Sequence, residues 1–159
     1  MADKTPDQLV REIMEGARIA AFAHHDDQGN IITVPMGVQK FDDPATTYWV
    51  TQKSSDKVRH LAADPRVNVY YASDDGYVSL TGTARLVEDQ AKLKELWDFF
   101  TDAYMGGGPE DPDAGLLEVT GESASYWATD SAPVTLVKLV AAKVTGTQTE
   151  SGDMGAVDL

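Results

Sequence analysis

From Arg66 to Glu88 the chain reads RVNVYYA, SDDG, YVSLTGTARLVE. Two runs rich in β-branched and aromatic residues are joined by a tight connector containing Asp-Gly, which predicts an antiparallel hairpin. The second run is long and interrupted by Gly82. An earlier pair repeats the plan: ARIAAFAHH (17–25) and IITVPMGVQ (31–39) flank DDQGN. Strands that return on themselves through short turns need no crossover helices. The chain shows no regular β-α-β alternation and no Gly-x-Gly-x-x-Gly after its first strand, so a doubly wound dinucleotide fold is not expected. The residues alone predict a mainly β (α+β) molecule, a small closed β-barrel with helices outside.

The remaining segments fit around that sheet. Thr5-Pro6-Asp7-Gln8 combines a cap, a proline at the first helical position and a capping-box glutamine, predicting a helix over 5–16. TYWVT (47–51) is a strand, and DKVRHLAAD is a short helix stopped by Pro65. DQAKLKELWDFFTDAYM (89–105) predicts one amphipathic helix, with Leu93, Leu96, Trp97, Phe100 and Tyr104 as its stripe. GGGPEDPDAG (106–115) is a loop, and 116–129 and 133–146 supply the last strands. Residues 1–146 form a single domain, and 147–159, with little to bury, are expected to be a disordered tail.

Composition narrows the partners. Asp and Glu outnumber Lys and Arg by 26 to 13, a net charge of −13 that repels polyphosphate backbones and argues against nucleic-acid binding. There is no cysteine, which removes thiolate metal sites and a cysteine nucleophile and fits a cytoplasmic location. MADKTPDQLV lacks the apolar core of a secretory signal, and no apolar run approaches the ~20 residues of a membrane span.

Against that acidic background, TYWVTQKSSDKVRHL (47–61) is locally basic. Thr51 ends a strand, Ser54 or Ser55 caps the next helix, and Lys53 and Lys57 flank the cap. Unpaired N–H groups at a helix start favour an anion, phosphate above all. The alternative is structural: serine as a plain cap, lysines as solvated surface charges. Asp56, in the helix's first turn, opposes a bound phosphate.

The stretch YWVTQKSSDKVRHLAADPRVNVYYA also resembles the general stress protein 26 group of the pyridoxamine 5'-phosphate oxidase-like flavoproteins. The similarity lies in Tyr48-Trp49-Val50-Thr51, then Ser55-Asp56-Lys57, then Asp64-Pro65-Arg66-Val67. It continues through YVSLTGTARLVED and GGGPEDPDAGLLEVTGESASYW, spanning about Ala17 to Val144. The resemblance implies an antiparallel, Greek-key split β-barrel with peripheral helices, a homodimer holding FMN at the subunit interface. By the same resemblance Val50 and Thr51 would meet the flavin, and Ser55 and Lys57 its phosphate, with Gln52 and Lys53 close by. Trp127 and, more weakly, Met36 within Pro35-Met36-Gly37 would lie near the ring. Asp56 stands where pyridoxamine-phosphate oxidases carry arginine, and ITVPMGV lacks their arginine-lysine motif, which makes pyridoxamine phosphate a poor substrate candidate.

Other constellations carry less. His24-His25 precede Asp26-Asp27, but neighbours on a strand face opposite ways, so no metal site is expected. PEDPD lacks EF-hand spacing and reads as an acidic surface loop. Trp49, Trp97, Phe99 and Phe100 read as core or interface aromatics. No Ser-His-Asp set stands out, so catalysis would rest on the cofactor. The expectation is therefore an FMN-dependent oxidoreductase acting on a small molecule. The alternatives are a non-enzymatic, stress-linked flavin carrier, or a haem-binding split barrel with His24 or His25 as ligand.

Overall fold

A computed structural model describes residues 3–130, 141, 143–146 and 152–159. The elements are α1 (Pro6–Gly16), β1 (Ile19–His25), β2 (Ile31–Gly37), β3 (Thr46–Gln52), α2 (Asp56–Ala63), β4 (Arg66–Ser73), β5 (Gly76–Val87), α3 (Gln90–Leu96), α4 (Phe99–Met105), β6 (Ala114–Ala128) and β7 (Met154–Asp158). Among the described residues the strands form one antiparallel sheet in the order β2-β1-β4-β5-β6-β3. Strand β6 spans two partners on its free side: β3 lies along Ala114–Thr120, and β7 along Ser123–Trp127.

Period-two alternation puts Ala20, Phe22 and His24 of β1 and Val78, Leu80 and Ala84 of β5 inside. There they meet Val10, Ile13 and Met14 of α1, whose start carries the expected reciprocal Thr5–Gln8 capping box. Phe22, Trp49 and Tyr71 form the aromatic centre, with ring centroids 5.7 and 6.0 Å apart. The interruption at Gly82 is a register shift in the β5–β6 ladder. A Cβ there would lie 2.2 Å from the Thr120 carbonyl oxygen, so only glycine lets the strands approach this closely at the irregularity.

Three expected elements differ. The helix over 89–105 is two helices, because Asp98 restarts it: its carboxylate accepts the Thr101 N–H at 2.8 Å while Trp97 is extended. Leu93 and Leu96 pack with Ala114 and Leu116 in a second small core, whereas Phe99, Phe100 and Tyr104 stand on the surface. The tail expected to be disordered contains β7. The free edge of β6 offers backbone donors and acceptors that a strand satisfies even where its side chains bury little. Most of the strand expected over 133–146 falls outside the described residues, and its described end, Ala141 and Lys143 to Thr145, is helical.

Candidate anion-binding corner

The passage from β3 to α2 is fastened from outside its own sequence. Thr51 and Gln52 pair with Gly115 and Ala114, and the Lys53 N–H donates to the Asp113 carbonyl at 2.7 Å. The Asp113 carboxylate then accepts both the Ser54 N–H (2.8 Å) and the Ser54 hydroxyl (2.7 Å). Lys53 lies across Gly115, where a Cβ would come within 2.8 Å of its Cγ, and its ammonium reaches Glu88 at 3.2 Å. Lys53 and Ser54 are thus committed to holding the turn.

Ser55 and Lys57 are not. Ser55 is the N-cap of α2, with extended backbone (φ −67°, ψ 147°), yet its side chain makes no capping bond. Its hydroxyl oxygen is buried without a hydrogen-bond partner. Lys57 is half-buried, has no ion pair among the described residues, and burial lowers its pKa. A plain cap would bond the first turn, which the Ser55 side chain does not do. Asp56, expected to oppose an anion, points outward and is paired with Arg59 at 3.2 Å. The corner therefore presents an unused hydroxyl, an ammonium without an ion pair among the described residues and the N-terminus of a helix.

Of the residues expected at a site, Val50, Thr51, Gln52, Lys53, Ser55 and Lys57 are brought together here. Thr51 is buried, and Val50 packs on the second core. Gln52 lines a shallow cleft with Trp97, Met105 and Asp113. Met36 and Trp127 are not at this corner. Met36 is part of the main core. Trp127 follows Gly115 along β6 by twelve residues, a path of roughly 35–40 Å along the strand. It is exposed beside Tyr77, which stacks on Tyr70 at 6.1 Å. This aromatic ledge borders an outer groove lined by Ile19, Thr33, Pro35 and Tyr70.

Two features escaped the sequence reading. Asp113 was hidden in an acidic loop, since its partner lies 59 positions away. Behind α2, His24 Nε2 lies 3.1 Å from His60 Nδ1, and His60 Nε2 lies 3.8 Å from Asp27. Burial lowers the His24 pKa, helped by the nearby His60 and Lys57. His25 faces the other way, beside Asp64 at 3.4 Å. Bonding to the Arg66 guanidinium holds the Asp64 carboxyl far below the usual carboxylate range. Among the described residues no group of three or more potential ligands could hold a metal ion.

The model of the pyridoxamine 5'-phosphate oxidase like family matches residues 6–150. The chain belongs to that family. A general stress protein 26 from Jannaschia sp. CCS1 superposes with a TM-score of 0.81 at 26% identity, covering 95% of this chain and 96% of that one. A general stress family protein from Xanthomonas campestris gives 0.67 at 25% identity, covering 83% and 93%. A heme binding protein from Mycobacterium smegmatis shares the fold at 0.70 and 12% identity, covering 99% of this chain and 60% of that one. No curated protein matches the chain. The sheet is thus the family's antiparallel split β-barrel with peripheral helices, and the likeness to the general stress protein 26 group extends over nearly the whole chain. No helix among the described residues is long and apolar enough to cross a membrane.

Proposed function

We propose that this family member binds FMN with its phosphate at the corner between β3 and α2, and serves as a flavin-dependent oxidoreductase for a small molecule in the cytoplasm. The observation that carries the proposal is the buried, partnerless Ser55 hydroxyl, with the half-buried Lys57, which has no ion pair among the described residues, two positions on. A dianion satisfies both at once, adds the dipole of α2, and returns to Lys57 the counter-ion that burial denies it. The turn is already built, because Asp113 fixes Ser54 and Lys53 before any ligand arrives. When bound, the flavin supplies hydride or single-electron chemistry; the chain binds it, orients it and excludes water.

The remaining contacts call for a second copy. Within one chain the aromatic ledge at Trp127 is too far along β6 to reach a mononucleotide held at Ser55. A homodimer that lays one copy's ledge over the other's corner would close both faces of the flavin. Haem is less well served. His24 has one nitrogen engaged with His60 and the other sealed in the core, so it offers iron no free position.

The test is direct. Purified protein should carry, or take up on titration, a flavin absorption spectrum, and should bind FMN more tightly than riboflavin. Equal affinity for the two would place the phosphate elsewhere. Sedimentation showing only a monomer with FMN bound would remove the shared site. Bleaching by NADH or NADPH, followed by recovery with an acceptor, separates the oxidoreductase from a flavin carrier.

A further inference from the structure

The phosphate corner has a floor that the proposed contacts do not use. His24 on β1 and His60 on α2 face each other with Nε2···Nδ1 3.1 Å apart and ring centroids 5.3 Å apart. That distance requires one nitrogen to carry a proton and the other to accept it. The outer nitrogen of His24 is buried with no partner, whereas the outer nitrogen of His60 lies 3.4 Å from the Arg59 guanidinium and 3.8 Å from the Asp27 carboxylate to which Arg59 is itself bonded. The pair consequently has room for one added proton. The added proton is held by the pair as a unit, on the side where Asp27 and its partner Arg59 lie. A second proton would leave two cations in contact.

The charges around the pair are few. Asp26 and Asp27 approach from the β1–β2 turn, and Arg59, paired with Asp27 and Asp56, from α2 itself. From β1, His25 looks away toward Asp64, which is bonded to Arg66 at the start of β4. The charged residue of β5, Arg85, is bonded to Glu118 of β6. The unbalanced charge is Lys57, three residues before His60 on the same helix, whose ammonium acts on His24. Residues three apart on a helix are neighbours. With the corner empty, Lys57 opposes protonation of the pair. With a phosphate at the corner, Lys57 is neutralised and the opposition is lifted.

We propose that the His24–His60 pair is a proton site coupled through Lys57 to the anion corner, so that a phosphate-bearing ligand and one proton bind cooperatively. The inference rests on FMN being the ligand of that corner. Coupling of this kind is reciprocal, so affinity for the phosphate ligand must rise as the pair is protonated.

The probe is FMN, titrated calorimetrically between pH 5.5 and 7.5 in phosphate-free buffers of differing ionisation enthalpy. His60→Asn keeps a polar atom near the position of Nδ1 but cannot take the proton. The phosphate of FMN titrates near pH 6 in both proteins, so the difference between them isolates the pair. Wild type should gain roughly threefold to tenfold in FMN affinity over His60→Asn on going from pH 7.5 to 5.5, and should take up more protons on binding. Riboflavin should show no such difference. Identical pH profiles and proton uptake for the two proteins with FMN overturn the coupling while leaving the phosphate site standing. Absence of FMN binding to either protein at every pH overturns both. Asp27→Asn, at an exposed position, serves if His60→Asn does not fold. It should lower proton uptake, and full wild-type uptake in that variant overturns the assignment of the charge to the Asp27 side.

Discussion

Helices α2 and α4 both begin on a short polar residue, but only one of them uses it. Asp98 closes α4 by accepting the Thr101 N–H at 2.8 Å, as Asp89 closes α3 through Lys92 at 2.9 Å. Ser55 leaves α2 open with its hydroxyl buried, and Lys57 in the same turn has no counter-ion among the described residues. A closed start stabilises the chain by itself; an open, buried one is costly until something arrives. The comparison marks α2 as a place where the fold gives up local stability for a ligand, and α4 as a place where it does not.

The largest effect that would separate the two helices is expected from Lys57→Ala. Loss of a charge-assisted bond to phosphate costs about 1.5–3 kcal/mol, one to two decades in FMN affinity, while riboflavin binding changes little. Fluorescence-quenching titrations with both ligands decide it, and an unchanged FMN curve ends the comparison. Asp113→Ala comes next. It frees Ser54 from two hydrogen bonds, so FMN affinity and thermal stability should fall together, by about 1–2 kcal/mol between them. A loss of stability with no change in affinity would make Asp113 a loop anchor only.

The sharpest contrast is smaller. Asp98→Ala should destabilise the free protein by about 1 kcal/mol and leave FMN affinity alone, because it removes a cap. Ser55→Ala should do the reverse: no loss in the melting temperature of the free protein, and about a threefold to tenfold loss in FMN affinity. If Ser55→Ala melts early without ligand, Ser55 is a cap after all.

How much of this could be seen in the sequence follows from the range of the interactions involved. Hairpins, the Thr5–Gln8 box and the turn around Ser55 are local, and their residues announce them. The break at Trp97–Asp98 was also local but was masked, because hydrophobic period continues through it while Asp98 quietly caps. β7 was invisible for the opposite reason: it forms through backbone pairing with β6, which leaves little hydrophobic pattern to read. At the corner, residue types pointed to an anion, but what distinguishes Ser55 from Ser54 and Lys57 from Lys53 is which of them has another partner. Those partners, Asp113 and Glu88, lie 59 and 35 positions away. The family resemblance supplied Met36 and Trp127, which the fold places in the main core and on a remote ledge, away from the corner.

The smallest effect concerns the floor beneath α2. The pKa of His24 is lowered first by burial, then by the charges of His60 and Lys57. Its folded value therefore lies below the ordinary ~6.5 of a free imidazole, and between those two values the unfolded chain binds more protons than the folded one. Stability gained from keeping His24 neutral is complete above about pH 6.5 and drains away as the pH falls toward the folded value. Asp64, held ionised by Arg66, contributes nothing to the change over that window. Melting curves from pH 7.5 to 5.5 should thus fall more steeply for wild type than for His24→Gln. Saturating FMN should flatten the wild-type slope, since a phosphate beside Lys57 removes one of the charges that keep the proton out. Parallel slopes in the free proteins would mean that His24 titrates alike folded and unfolded, and the floor would then be inert while the helix start above it remained open.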